Sequence, residues 1–308
     1  MKKRSSDSEK TGLFRIFAAG CLWGTIGLFV KLMEGQGSSS SYTSFLRLFF
    51  GFLLLALLTL IFEGPKAFRI GRRTLISCIL LGIVCQGIFN ILYSMSINMN
   101  GVSVSSVLLY TAPIFTSIAS VLFFKERLGR SKWLALLINV IGCALTATGG
   151  EFSASAFVPA GLLAGVGAGL TYGMTAVFGK IAMREESSPL AVATYNLLFG
   201  CIFVALVSRP WNTVESPFDT GILLYGLLFG LAATALAYCF YFSGLAKISH
   251  PSKVTVAASV ELVVATFFGA AAFREDMTAV KIAGIILVIF SIILFSRRTM
   301  SEKTEGKQ

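Results

Sequence analysis

The sequence predicts an all-α integral membrane fold, with ten transmembrane helices arranged as two inverted five-helix repeats. Hydropathy is the first observation behind this prediction. Of 308 residues, 55% are apolar and 13% charged, and the mean hydropathy is +0.79, whereas about a quarter of the residues of a soluble domain are charged. Charge is also segregated: residues 75–99 and 134–150 hold no Lys, Arg, Asp or Glu. Such segments are long enough to cross most of a ~30 Å hydrocarbon core at about 1.5 Å per helical residue. The other two observations are an internal repeat and the placement of Lys and Arg.

Ten spans follow along the chain, at about 13–33, 42–62, 74–97, 102–124, 132–150, 157–181, 190–208, 220–246, 252–273 and 279–296. Hydrocarbon offers no partner to backbone N–H and C=O groups, so each span must be a helix; the alternating pattern of a barrel strand is absent. Met1-Lys2-Lys3-Arg4 and the segment Ala18-Ala19-Gly20-Cys21 resemble secretion or lipoprotein signals. The apolar stretch between Arg15 and Cys21 is too short for a signal core of about 7–15 residues, and the run to Lys31 makes a near-complete span. Cleavage would also remove part of the repeat.

Sliding the chain by 149 residues aligns Gly24 with Gly173, Phe29 with Phe178, Lys31 with Lys180, Ser38-Ser39 with Ser187-Ser188, Phe50-Gly51 with Phe199-Gly200, Ser94 with Ser243, Ser103 with Ser252 and Glu126 with Glu275, without a gap. Matched glycine and polar positions in one frame indicate a duplicated unit. Each unit holds five spans, and an odd number makes the second unit enter from the opposite side. The expected organisation is a tail at 1–12, repeats at 13–150 and 157–296, and a tail at 297–308.

Lys and Arg favour cytoplasmic loops. With the N-terminus inside, 21 of the 26 basic residues fall inside, four (Lys31, Arg209, Arg274, Lys281) fall outside, and Arg47 lies within a span. Both termini are therefore expected in the cytoplasm, with the chain in the cytoplasmic membrane. The loop Lys125-Glu-Arg-Leu-Gly-Arg-Ser-Lys132 is basic, and its inverted copy around Glu275 is not. The net charge of +11 then reflects topology and anionic lipid; no extended basic domain suggests nucleic acid as a partner. All six cysteines fall inside spans and His250 is the only histidine, so neither a disulfide framework nor a metal site is expected, and no cofactor is called for.

Tyr110-Thr-Ala-Pro-Ile-Phe, Phe124-Lys-Glu-Arg-Leu-Gly and the run Trp133–Gly150 with Asn139 and Gly142 resemble the module that defines the EamA family of the drug/metabolite transporter superfamily. A second copy is recognisable in Ser259-Val-Glu-Leu-Val-Val, Phe273-Arg-Glu-Asp and Lys281-Ile-Ala-Gly284. Leu262 stands where the pattern has proline beside Glu261, a departure that bears on whether the two halves bend alike. The resemblance implies ten helices, cytoplasmic termini, and a substrate cavity between the halves lined mainly by spans 1, 3, 4, 6, 8 and 9. Its members move small metabolites, often outward.

Inverted-repeat carriers hold substrate near the midplane, so polar and aromatic residues at helical spacing are the candidates for binding. They are Gln86, Asn90 and Tyr93 in span 3, Ser106 and Tyr110 in span 4, Tyr238 in span 8, Ser259 in span 9, and the equivalent pair Trp23 and Tyr172. Hydrogen bonding between helices is the competing reading for each. Glu261 is the only acidic residue within any span. A carboxylate there must be neutral, paired or hydrated, which fits proton coupling or amine binding as well as a structural pair. It lies about 200° around the helix from Ser259, so the two are not expected to share a face. Arg47 is the one intramembrane cation, with an ion pair or an outward-reaching structural role expected. Gly161, Gly165, Gly169 and Gly173 give span 6 a smooth stripe for close packing, or for sliding during transport.

The function these features suggest is a secondary carrier for small organic metabolites such as amino acids, working by alternating access with a proton as a candidate coupling ion. No phosphate loop of the nucleotide-driven pumps is present. A membrane enzyme would need clustered acids, a base or a metal near an interface, and a sensor or scaffold would need a soluble domain that these short loops cannot form. The expected partners are a small-molecule substrate and the lipid bilayer; a homodimer is compatible with this architecture, but a monomer suffices.

Overall fold

The computed structural model describes residues 2–150, 158–183, 187–274 and 276–296, with side chains from Asp7 onward. Glu275, Arg184, the side chains of Lys2, Lys3 and Arg4, and the basic residues after Ser296 lie outside the described residues. Among those described, nine helices are long and apolar enough to cross a membrane, and Ala112–Phe124 is a shorter apolar helix. No strand occurs among them.

Span 1 consists of Lys2–Trp23 and Ile26–Glu34, and span 2 is Ser40–Glu63. Span 3 begins as Arg72–Leu80, widens into a π-helical segment at Leu81–Ile88, and continues in Phe89–Leu109 until the chain turns back at Gly101. The residues after that turn, with Ala112–Phe124, make span 4. Spans 5, 6 and 7 are Arg130–Thr148, Pro159–Ala182 and Pro189–Ser208. Span 8 joins Thr220–Gly230, the π segment Leu231–Leu236 and Ala237–Leu245; span 9 joins Pro251–Ala258 and Val260–Phe273; span 10 is Ala279–Ser296.

Between spans 3 and 4 a single residue does the work of a loop. Gly101 has φ +78° and ψ 167°, a conformation essentially confined to glycine. The reversal brings the Ser96 and Ser105 hydroxyls to 2.8 Å and those of Tyr93 and Ser106 to 3.2 Å. A continuous helix would hold these pairs apart by about 13 and 20 Å at 1.5 Å per residue.

The 149-residue offset recurs in local geometry. Ser39 caps span 2 by accepting from the Tyr42 N–H, and Ser188 caps span 7 by accepting from the N–H groups of Leu190 and Ala191. The two π segments, Leu81–Ile88 and Leu231–Leu236, occupy equivalent stretches. Lys125 and Arg274 close spans 4 and 9 in the left-handed region, at φ +54° and +56°. Span 4 is interrupted at Tyr110 and Thr111, and span 9 at Ser259. Pro113 lacks the N–H that a continuous helix would use. Leu262 has one, yet it bonds to the Ser259 carbonyl three residues back at 3.2 Å. The two halves therefore break at matching positions although only one carries the proline.

Glycines seat these breaks against the other half. A Cβ added at Gly24 in span 1 would lie 2.8 Å from the Glu261 carbonyl oxygen, and one at Gly173 in span 6 would lie 2.8 Å from that of Ala112. Gly20 meets the Ala258 carbonyl oxygen in the same way at 3.0 Å, and Gly169 meets that of Leu109 at 3.3 Å. In lipid, where helices gain little from hiding apolar surface against one another, such close backbone approach is a main source of packing energy.

At the end of the bundle bearing the N-terminus, Glu126 is buried rather than exposed in its loop. Ser252 Oγ donates to both of its oxygens at 2.6 and 2.7 Å, Lys132 Nζ lies 3.5 Å from Oε1, and His250 Nδ1 lies 3.9 Å from Oε2. The loop after span 4 is thereby tied to the start of span 9, next to the Lys253–Glu9 pair at 3.0 Å.

Two substitutions test this packing. Gly169→Leu would push a side chain into the Leu108 carbonyl oxygen, 2.7 Å from its ideal Cβ; we expect a loss of about 1–3 kcal/mol, read by thermal unfolding in detergent. An unchanged melting curve with transport blocked would instead favour the sliding role that the sequence pattern offered beside close packing. Glu126→Ala strips a buried ion pair of its carboxylate and should cost on the order of 3 kcal/mol, seen as a lower unfolding temperature than that of Glu126→Gln.

Candidate functional site

Trp23 ends the first helix of span 1, where the hydrogen-bond ladder tightens from four residues to three through Gly24 and Thr25 and the Thr25 hydroxyl donates to the Leu22 carbonyl at 2.7 Å. This break points the indole into the centre of the bundle, where it is buried. Its ring centroid lies 6.4 Å from Tyr172, 5.4 Å from Tyr238 and 5.0 Å from Tyr241. Phe89 extends the cluster, 5.7 Å from both Tyr172 and Tyr93. Spans 1, 3, 6 and 8 thus build one aromatic wall.

Glu261 lies in the first turn of the helix that follows the break in span 9. The Tyr172 hydroxyl donates to its Oε2 at 3.0 Å and the Tyr110 hydroxyl to its Oε1 at 3.2 Å. No basic side chain pairs with it among the described residues. Glu261 and Tyr172 are partly exposed while Tyr110, Trp23 and Tyr238 are buried. The carboxylate is therefore held by two neutral donors that belong to opposite repeats, Tyr110 to the first and Tyr172 to the second.

The other residues singled out in the sequence distribute around this centre. Gln86 Nε2 donates to the Tyr238 hydroxyl at 2.5 Å, linking spans 3 and 8. Tyr93 and Ser106 bond each other across the spans 3–4 hairpin. Asn90 donates to the Gln86 carbonyl at 2.6 Å and lines a separate crevice of about 380 Å³, whose polar walls are Ser40, Ser41, Ser44, Asn90, Ser94, Asn98 and Ser208. Gln86, Asn90 and Tyr93 therefore do not converge: each rises past different neighbours over the ~10 Å that separates the first from the last.

Ser259 faces away from the cluster. It is buried and donates to Asn139 Oδ1 at 3.3 Å, while Asn139 Nδ2 donates to Ser291 at 2.9 Å, an interhelical network joining spans 9, 5 and 10. Of the two span 9 residues, Glu261 is thus the one that faces the aromatic wall, as their ~200° separation requires. Arg47 makes no ion pair among the described residues; its Cζ lies 5.6 Å from the Phe229 ring centroid. Tyr241, which shares a helical stripe with Thr234 and Tyr238 in the sequence, joins the cluster, and Phe89 joins it without having been singled out. Phe89 is three residues beyond Gln86, and that helical spacing was the available signal. Among the described residues no group of His, Cys, Asp and Glu could hold a metal ion.

The EamA-like transporter family model matches the chain twice, at residues 10–148 and 159–297. The chain belongs to the EamA-like transporter family. An uncharacterized transporter of Archaeoglobus fulgidus is 28% identical over 286 residues, covering 91% of this chain and 94% of that one. The uncharacterized transporter YoaV of Bacillus subtilis is 28% identical over 82% of this chain and 87% of its own. The pseudopaline exporter of Pseudomonas aeruginosa is 28% identical over 63% of this chain and 65% of its own. One crystal structure shares the fold with a TM-score of 0.75 over 93% of this chain and 96% of that one, at 14% identity. The chain is accordingly a multi-pass membrane protein of a transporter family, with transporters rather than enzymes as its named relatives.

The hydrogen-bonding pattern separates two groups of residues. Ser259→Ala should lower thermal stability by about 1 kcal/mol, as loss of a buried hydrogen bond does, and leave solute flux unchanged. Tyr110→Phe combined with Tyr172→Phe should leave the melting temperature within a few degrees of wild type but reduce flux about tenfold or more, measured in proteoliposomes. A double variant with full flux would show that the two hydroxyls matter only for packing.

Proposed function

We propose that the chain is a secondary carrier of small organic metabolites such as amino acids, that it exposes the aromatic cluster alternately to the two sides of the cytoplasmic membrane, and that Glu261 is its proton-coupling group. The observation that carries this reading is the intramembrane carboxylate held by Tyr110 and Tyr172, one hydroxyl from each repeat. A rocking motion of one repeat against the other would change the contact with Tyr110 while Tyr172 moves with Glu261 on the second repeat, so protonation of Glu261 and the position of the repeats would be linked. Trp23, Tyr238 and Tyr241 supply apolar walls with polar rims, a lining suited to a small organic solute. The exporter of Pseudomonas aeruginosa among its relatives favours outward movement. A monomer holds the whole cluster, and the distribution of Lys and Arg favours cytoplasmic termini.

Counterflow in proteoliposomes tests this reading, with a labelled panel of amino acids, nucleosides and organic acids, and with wild type, Glu261→Gln and empty vesicles side by side. Wild type should show saturable exchange of one solute class, and coupling to one proton should shift its accumulation about tenfold per unit of pH gradient. Glu261→Gln should keep exchange while losing the response to the gradient. A gradient response that survives in Glu261→Gln would remove Glu261 from the coupling role, and an absence of exchange for every solute from folded protein would count against a carrier.

A further inference from the structure

The crevice that Asn90 lines shares no residue with the cluster around Glu261. It opens at the end of the bundle opposite the N-terminus, between the first turns of span 2 and the last turns of spans 3 and 7, and holds about 380 Å³. Small-molecule pockets run from about 300 to 1,000 Å³. Asn90, Ser94 and Asn98 recur every four residues on one wall, so the polar lining reaches about 12 Å along span 3 at 1.5 Å per residue. Ser40, Ser41 and Ser44 line it from span 2.

These hydroxyls are not satisfied as others in the spans are. Thr59, Thr146, Thr148, Thr171 and Thr194 each donate to the carbonyl four residues back, which hides a hydroxyl from lipid. Ser40, Ser41, Ser44, Ser94, Asn98 and Ser208 make no side-chain hydrogen bond among the described residues. Asn90 donates to the Gln86 carbonyl and leaves its own side-chain oxygen without a partner. The repeat does not require this polarity: 149 residues on, Pro189, Leu190, Ala193 and Cys239 stand for Ser40, Ser41, Ser44 and Asn90, while Ser94 keeps a serine, Ser243.

No Lys, Arg, Asp or Glu lines the crevice, so an ionic group entering it would lose hydration without gaining a countercharge. Serine hydroxyls and asparagine carboxamides each offer a donor and an acceptor together, which is what the hydroxyl groups of a sugar or polyol complement. Val204 adds apolar surface for the C–H face of such a group. Ile91, Met95 and Met99 are exposed along span 3 beside the polar row, where the acyl chains of a glycolipid would lie. We propose that the crevice binds a neutral polyhydroxylated group, supplied by a free sugar or polyol or by the glycosyl head of a membrane lipid. This site goes beyond the carrier reading and does not depend on it.

The test uses the full chain in phosphatidylcholine nanodiscs, prepared without sugar-based detergent. Ligand-observed NMR reads binding of D-glucose, D-sorbitol and the anion D-gluconate, and native mass spectrometry reads retention of monoglucosyl diacylglycerol added to the discs. Wild type should hold at least one neutral ligand and bind gluconate about tenfold more weakly or less. Ser94→Leu combined with Asn98→Leu, both at exposed positions, should keep the melting temperature and weaken the neutral ligand about tenfold or more. Should that variant not fold, Ser44→Leu on the opposite wall carries the same expectation. Loss of glucose or sorbitol binding in the variant upholds the site with a soluble ligand, and loss of the glucosyl lipid alone upholds it with a lipid. Equal binding of glucose and gluconate, equal retention of the neutral ligand by wild type and variant, or no binding of any of the three neutral probes overturns the proposal. Binding in the crevice without any saturable exchange in vesicles would uphold the site and reject the carrier.

Discussion

Hydrocarbon offers no hydrogen bonds, so every N–H and C=O group within the membrane must find its partner in the protein. This constraint explains both why the chain is helical throughout its spans and why its departures from the α-helix are so local. At Tyr110–Thr111 and at Ser259 the ladder slips from four residues to three for a single turn and then resumes. At Leu81–Ile88 and Leu231–Leu236 it widens instead. Each defect leaves few carbonyls unpaired, and Gly20, Gly24, Gly169 and Gly173 bring another helix close against those around the two breaks. The aromatic cluster and Glu261 are positioned by these same breaks, since Trp23 precedes one and Glu261 and Tyr110 flank the others.

Much of the architecture was legible from the chain alone. Long charge-free runs specify crossings because no other structure is soluble in lipid, and a gapless 149-residue frame specifies two copies of five. The frame reached further than composition could, since capping serines, left-handed closures and π segments recur at equivalent positions. Two features escaped. The break in span 9 has no proline to announce it; what marks it in the folded chain is the close approach of Gly24 in span 1 to the Glu261 carbonyl. The meeting of spans 3 and 4 at one glycine looked like an ordinary short loop, because the backbone angle of Gly101 leaves no compositional trace.

The candidate site was legible in its residue types more than in its grouping. Trp23, Tyr172, Tyr110, Tyr238 and Gln86 do come together, but Asn90 faces a different crevice and Ser259 faces spans 5 and 10. Helical spacing says which side chains share a face, and it does not say which neighbour that face meets. Glu126 makes the same point at the end of the bundle: a charged loop residue by sequence, it is buried because Ser252 and Lys132, on two other helices, converge on it.

The turn at Gly101 bears on how the protein reaches the membrane. With one residue joining two crossings, there is no length of chain that could wait outside while span 3 settles and span 4 is still to come. Spans 3 and 4 must enter the bilayer as a pair, already folded back on each other through Ser96 and Ser105, and a side chain at position 101 would act first on assembly rather than on the finished molecule. In the second repeat the corresponding junction, between Leu245 and Pro251, has several residues of slack. The two halves, alike in their folded form, are therefore built under different constraints.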